Sequence, residues 1–302
     1  NYFSPHLGKK KDVKLPATMI SSRGCPYNCT FCSKPVNRAR YRVRSGKNVV
    51  DEMEALYDSC GGVYGFMCDT MTLFKNKTIE MCDEIEKRGL KVKWVANTRV
   101  DLFDEELAMR MARAGCKSLF FGVESGNPRV RNEVAQKRIT DEQIFKAIKL
   151  CWKYRIQSNI YMMVGFPTET LKELEDTINF PLLSGADIIG VHITWPQPGS
   201  VLFDEAIKEG VIPKTVIDDF VLGKFGDDPL TFWPVYIPKG LTLEDLIMAK
   251  KKAYRKFYLR PSWFLKRMVW YFRTPEKFFQ DLGETKAAIR AILTGSTGTA
   301  ET

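Results

Sequence analysis

The sequence predicts an α/β protein in which six strand–helix units form an incomplete parallel barrel, followed by a helical extension. Three observations carry this. Short β-branched or aromatic runs alternate with longer amphipathic stretches, and the repeat is about thirty residues, the length of a βα unit. The residues with chemistry in them fall just after the strand-like runs, the side on which parallel barrels gather their sites. From about residue 211 the pattern changes to a Pro- and aromatic-rich connector and then to helices.

Strands are expected near 17–23, 62–68, 91–97, 117–124, 156–164 and 187–194, with helices at 48–59, 75–89, 104–115, 140–154, 169–185 and near 200–210. Gly89, Gly115 and Gly185 stand where helix C-caps belong, and Thr140 with Gln143 makes a capping box. Each crossover helix returns the chain to the same edge, so the sheet is parallel. Six units fit a doubly wound sheet or a curved partial barrel, and the strand ends favour the barrel. The first strand runs into a cysteine loop, the second ends at Asp69, and the third at Asn97 and Arg99. The fourth ends at Glu124-Ser125-Gly126, the fifth at Gly165-Phe166-Pro167, and the sixth at Thr194 before "WPQPGS". If Glu124 points inward, alternation turns Gly122, Phe120 and Ser118 inward too and leaves Leu119, Phe121 and Val123 for the outer helices. The reading is a partial TIM-type (β/α)6 barrel over 1–210 with a connector and helical extension over 211–302. In the extension Thr242 and Asp245 cap one helix, Thr274-Pro275 opens another, and "GSTGTAET" is a frayed tail.

With 302 residues and 44% hydrophobic content the chain can bury a substantial core. No uninterrupted apolar run reaches the roughly 18 residues of a spanning helix, and no signal-peptide pattern opens the chain, so a cytoplasmic protein is expected. The net charge of +10 is concentrated: between Leu246 and Pro275 there are nine Lys or Arg and no Asp or Glu. Tyr254, Phe257, Tyr258, Trp263, Phe264, Trp270, Tyr271 and Phe272 lie among those cations. Such a segment docks on the barrel with its charges solvated, or meets a membrane surface over 246–275; nucleic acid is the least favoured partner. Cys60, Cys68, Cys82, Cys116 and Cys151 are scattered among apolar neighbours and read as buried small hydrophobes.

The remaining cysteines are crowded. "SRGCPYNCTFCSKP" places Cys25, Cys29 and Cys32 at offsets of four and three, a spacing that suits a soft metal or cluster. A structural zinc site or a closed cluster takes four ligands, and neither His6 nor His192 is near in sequence. Three cysteines on a four-iron cluster leave one iron open for a substrate or cosubstrate.

The C-x3-C-x2-C pattern with Phe31 before its last cysteine resembles the signature of radical S-adenosylmethionine (radical SAM) enzymes. "RVRSGKNVVDEMEAL", "ANTRVDLFDEELAMRMARAGCKSLFFGVESGNPRV", "YMMVGFPTET" and "PQPGSVLFDEAIKEG" extend the resemblance to the cobalamin-associated branch over roughly 15–210, and "FYLRPSWFLKR" resembles a C-terminal extension found there. The resemblance implies that Cys25, Cys29 and Cys32 ligate a [4Fe–4S] cluster whose open iron chelates SAM. One-electron cleavage then gives methionine and a 5′-deoxyadenosyl radical, the electron coming from a reductant such as flavodoxin or ferredoxin. It further implies Phe31 beside the adenine, Glu124 with Ser125 at the ribose or amino group, and Lys137 or Arg138 at the methionine carboxylate. Gly165 and Pro167 shape the adenine side, and Asp69 stands in for a more acidic family pattern.

The expected reaction is methylation of an unactivated carbon on a small-molecule or lipid-like substrate, with radical rearrangement, cyclisation or oxidation as alternatives. An iron–sulfur electron carrier is the alternative of another class. A cobalamin-binding D-x-H-x-x-G motif is absent from the chain, so that domain lies upstream or the protein works without cobalamin. His192, Tyr161 and Met163 share faces that line or fill the lumen.

Overall fold

The computed structural model describes residues 15–33, 41–224 and 236–273. Six parallel strands run in chain order across one sheet: β1 (Ala17–Met19), β2 (Val63–Phe66), β3 (Lys93–Thr98), β4 (Cys116–Glu124), β5 (Gln157–Val164) and β6 (Ile188–Ile193). Helices α1 (Gly46–Cys60), α2 (Lys75–Lys87), α3 (Glu105–Arg113), α4 (Asp141–Lys153) and α5 (Leu171–Ser184) fill the crossovers, and α6 (Val201–Lys208) follows β6. Among the described residues β1 and β6 do not pair, so the sheet is the expected partial barrel.

Alternation works as the sequence implies. Leu119, Phe121 and Val123 are wholly buried in the core beneath the outer helices, together with Ile144, Ala147 and Ile148 of α4. Phe120 and Gly122 keep partial exposure on the inner face. Capping follows chemistry: the Thr140 and Gln143 box forms as expected, Thr170 and Glu173 make another on α5, and Gly185 ends α5 in the left-handed conformation.

The structure departs from the expected elements at three places near the site. The strand expected over 17–23 ends at Met19; Ser22–Arg23 pairs antiparallel with Arg42–Val43 in a separate short ribbon. Arg44 fixes that break by donating to the carbonyl of Ile20 and packing its guanidinium against Glu52. The helix expected from 169 starts at Leu171, because the Glu169 side chain turns back to the backbone of Gly165 and Phe166. A π-helical turn, Val130–Val134, follows β4 where nothing regular was expected.

After α6 come α7 (Val216–Val221), α8 (Leu243–Tyr258) and α9 (Pro261–Arg273). The Thr242 and Asp245 box caps α8 as expected, whereas Thr274-Pro275, the tail and most of the connector lie outside the described residues. The basic extension docks on the barrel. Leu246, Ala249, Ala253, Tyr254, Phe257 and Tyr258 join the main core. Lys252 and Lys256 pair with Glu175, while Lys266 and the Trp270 indole meet the carboxylate of the buried Asp187. The outward face of α9 leaves Phe264, Leu265, Met268 and Phe272 exposed. No helix among the described residues is long and apolar enough to cross a membrane.

Candidate active site

The loop from Gly24 to Ser33 leaves β1 and crosses the C-terminal mouth of the barrel, held by partners from four directions. The Gly24 amide donates to Asp69 Oδ2 at 2.9 Å, just past β2. Thr30 donates its amide to the carbonyl of Ala135 at 3.1 Å and its hydroxyl to that of Val134 at 2.8 Å. The Thr30 carbonyl accepts from Leu202 at 3.0 Å in the first turn of α6, and the Ser33 hydroxyl donates to the carbonyl of Pro198 at 2.7 Å. Within the loop the Cys32 amide donates to the carbonyl of Cys29 at 3.3 Å, a tight turn that sets the second spacing. Cys29 is buried, Cys25 half-buried and Cys32 exposed.

Opposite the loop lies a buried ion pair, Lys137 Nζ to Glu124 Oε1 at 2.8 Å. Its construction begins in β4, where the register with β5 slips between Gly122 and Glu124. Glu124 takes a φ of 73°, a left-handed backbone that costs a non-glycine residue about 1 kcal/mol and re-aims its carboxylate into the cavity. A Cβ on Gly122 would lie 2.2 Å from Glu124 Oε1 and 2.7 Å from Lys137 Nζ, so glycine there makes room for the pair. Burial opposes the Lys137 charge, but Glu124 and then Cys29 hold its ammonium above the ordinary lysine range.

Arg99, at the end of β3, braces both halves. It grips Asp101 through two nitrogens at 2.9 and 3.0 Å, donates to the carbonyl of Lys137 at 2.8 Å, and stacks 3.5 Å over the ring of Tyr27. On the adjoining wall Phe31 meets Phe166 edge to face at 5.8 Å and lies 6.0 Å from Lys137 Nζ. Glu169 holds that wall by accepting from the amides of Gly165 at 2.6 Å and Phe166 at 3.0 Å. Burial raises the Glu169 carboxyl to about 7 in spite of those two bonds.

The expected site residues thus divide. Cys29, Phe31, Glu124 and Lys137 lie together, Cys25 and Cys32 share the loop of Cys29, and Gly165 and Pro167 flank Phe166 in the turn beside them. Asp69 serves the loop backbone, with its side chain still exposed. Arg138 is exposed, so of the two cations considered Lys137 is the one in the cavity. Ser125 is fully buried, its hydroxyl pairing with Thr177 of α5 at 2.9 Å and accepting from the Asn127 amide. Arg99 is one of the expected strand-end residues, and the structure gives it this bracing position; Tyr27 and Glu169 are not among the expected site residues.

The thiols fit an iron–sulfur cluster by their chemistry. Burial pushes the Cys29 thiol upward; Cys32 is accessible to solvent, yet the protein packed around it, then Cys29 and Cys25, take its thiol to about 11. Three neighbouring thiolates are unfavourable without a cationic centre, which is what a metal supplies. Among the described residues no three His, Cys, Asp or Glu side chains converge on one ion. A cluster asks something different of the loop, one thiolate for each of three irons.

The fold and the loop define an α/β partial barrel that carries three cysteines at its strand ends. The chain belongs to the radical SAM superfamily, whose family model matches residues 19–180. Enzymes of this superfamily use a [4Fe–4S] cluster and SAM. The chain is 34% identical over 263 residues to an uncharacterized methyltransferase of Pyrococcus horikoshii, covering 86% of this chain and 55% of the relative. It is 32% identical over 269 residues to an anaerobic magnesium-protoporphyrin IX monomethyl ester cyclase of Cereibacter sphaeroides, covering 87% and 41%. It therefore spans about half the length of the curated relatives it matches. The fold is also similar to that of the radical SAM methyltransferase TsrM from Kitasatospora setae, solved with cobalamin and a [4Fe–4S] cluster bound. The TM-score is 0.59 at 22% identity, covering 64% of this chain and 37% of that one.

Proposed function

We propose that this radical SAM enzyme methylates an unactivated carbon of a small-molecule substrate, with cobalamin as a further cofactor. The observation that carries the reading is the Glu124–Lys137 pair beside Cys29: a carboxylate and an ammonium, both buried, facing the thiol loop. SAM ends in an amino acid with the complementary charges. Its ammonium is suited to Glu124 and its carboxylate to Lys137, so binding exchanges one buried ion pair for two. Cys25, Cys29 and Cys32 are the three thiols to hold the cluster, which supplies when bound the electron that breaks the sulfonium bond. Phe31, Phe166, Gly165 and Pro167 offer a face for the adenine, and Asp69 fixes the loop through Gly24. Methyl transfer and cobalamin rest on the Pyrococcus relative and on TsrM.

The Cereibacter cyclase supports a second reading, radical oxidation with ring closure. Anaerobic reconstitution with iron and sulfide, followed by SAM, dithionite and cobalamin, separates the two. Methyl transfer yields S-adenosylhomocysteine beside 5′-deoxyadenosine, whereas cyclisation yields 5′-deoxyadenosine alone. Absence of 5′-deoxyadenosine, or undiminished product from Cys29→Ala, would overturn the assignment.

A further inference from the structure

Away from the thiol loop, the inner face of the sheet carries an aromatic row that the reading above leaves unused. The rings of Phe120 on β4 and Tyr161 on β5 stack at 5.8 Å and 11°, and Tyr161 continues to His192 on β6 at 5.9 Å. Gly190 permits this: a Cβ there would lie 2.6 Å from the Tyr161 ring and 3.5 Å from His192 Nε2. Phe120 and Tyr161 are half-buried and His192 exposed, so the row lines open space rather than filling it. Thr194 shares the parity of Gly190 and His192, and its buried hydroxyl has no hydrogen-bond partner among the described residues.

The fourth group comes from the extension. On α8, Tyr258 and Tyr254 sit opposite Ile189 and Val191 of β6, so the next position up the helix, Lys250, stands at the C-terminal end of that strand. Its neighbours Lys252 and Lys256 point the other way, to Glu175. Lys250 is half-buried, and no carboxylate pairs with it among the described residues. Burial alone holds its ammonium below the ordinary lysine range. The His192 ring reaches solvent through the cavity but has protein packed around it; that partial burial, then Lys250, pushes its imidazole down, with Glu124 opposing from across the lumen.

A half-buried ammonium without a counter-ion among the described residues, a solvent-accessible imidazole and a hydroxyl unsatisfied among them are together a set of donors lacking an acceptor there. We propose that Lys250, His192 and Thr194 bind an anionic group of the substrate, a carboxylate or a phosphate, while Tyr161 and Phe120 support its unsaturated or apolar body. The extension thereby completes the cavity, and the substrate lies between this anchor and the thiol loop. The inference rests on the proposed use of the cavity as the reaction chamber, but it can be tested without turnover.

The chain has two histidines, His6 and His192, which makes imidazole nitrogen spectra a clean reporter. Cluster-reconstituted, SAM-free protein is titrated with inorganic phosphate and, separately, with acetate. At least one anion is expected to shift His192 saturably and leave His6 in place, and the tighter of the two names the group. Lys250→Gln is expected to weaken that binding by about tenfold, and Lys250→Arg to restore most of it. No response at His192, equal shifts at both histidines, or an unchanged midpoint in Lys250→Gln would overturn the site. Saturable binding in protein that makes no 5′-deoxyadenosine would uphold the site and remove the proposed reaction instead.

Discussion

The guanidinium of Arg99 donates to the carbonyl of Lys137 at 2.8 Å while lying 3.5 Å over Tyr27, so one buried side chain from β3 positions both sides of the cavity. Lysine cannot reproduce this, because it lacks the planar fork that engages Asp101 and the Lys137 carbonyl together. Arg99→Lys is expected to lower stability by about 2 kcal/mol in urea denaturation, from lost charged hydrogen bonds in a buried place. It should also lower the iron retained after reconstitution. Full iron content and wild-type SAM affinity in this variant would show that the brace is incidental.

Gly122→Ala tests the ion pair without deleting either member. The added methyl group competes for the space of Glu124 Oε1 and Lys137 Nζ, both ends of side chains, so the strand can persist while the pair is pushed apart. The expectation is a SAM dissociation constant raised by about tenfold or more in calorimetry, since a displaced buried pair loses its mutual compensation. The circular dichroism spectrum should not change. Unaltered affinity would place the SAM amino acid elsewhere.

What the sequence disclosed of this site, and what it hid, follows from the range of the interactions. Cys25, Cys29 and Cys32 are legible because their spacing is local, and Glu124 because strand ends in a parallel barrel face one mouth. The choice between Lys137 and Arg138 was open because both follow a π-helical turn that obeys no simple period. The contact of Ser125 with α5 is not legible from its place beside Glu124, because the turn after β4 sets where its hydroxyl goes. Arg99 meets Tyr27 and the Lys137 carbonyl only through tertiary packing, whereas Glu169 reaches amides three and four residues before it, and it is the burial of that turn that the sequence does not show.

Glu169 gives the molecule a pH dependence with a definite sign. Its native carboxyl keeps its proton up to about 7, whereas an unfolded glutamate releases it near 4.5. Between those values the native state binds more protons, so this contribution is fully present below 4.5 and is lost as pH rises through 7. The amount is about 3 kcal/mol. Glu169→Gln retains an oxygen for the amides of Gly165 and Phe166 and carries no titrating group. Its stability relative to wild type, measured by denaturation at a series of pH values, should therefore rise between pH 5 and 8. A constant difference across that range would mean that Glu169 titrates normally.

An incomplete barrel has an open side to protect. An unpaired edge strand presents alternate N–H and C=O groups, an invitation to pair with another chain. Here the Tyr254 hydroxyl accepts from the Val191 amide at 2.9 Å, and the Tyr258 hydroxyl meets the amide and carbonyl of Ile189 at 3.4 and 3.3 Å. The match is geometric: four residues of helix rise about 6 Å and two residues of strand about 6.6 Å, so tyrosines at that interval serve successive outward-facing rungs of β6. Phenylalanine preserves the packing and removes only the hydroxyl. Tyr254→Phe should cost about 1 to 3 kcal/mol, the penalty of a buried amide left without an acceptor, and Tyr258→Phe less, its bonds being longer. Hydrogen exchange should quicken at Val191 and Ile189 before it does at β4. If exchange at β6 is unaffected in the double variant, the edge is protected by burial alone and the two hydroxyls are incidental to it.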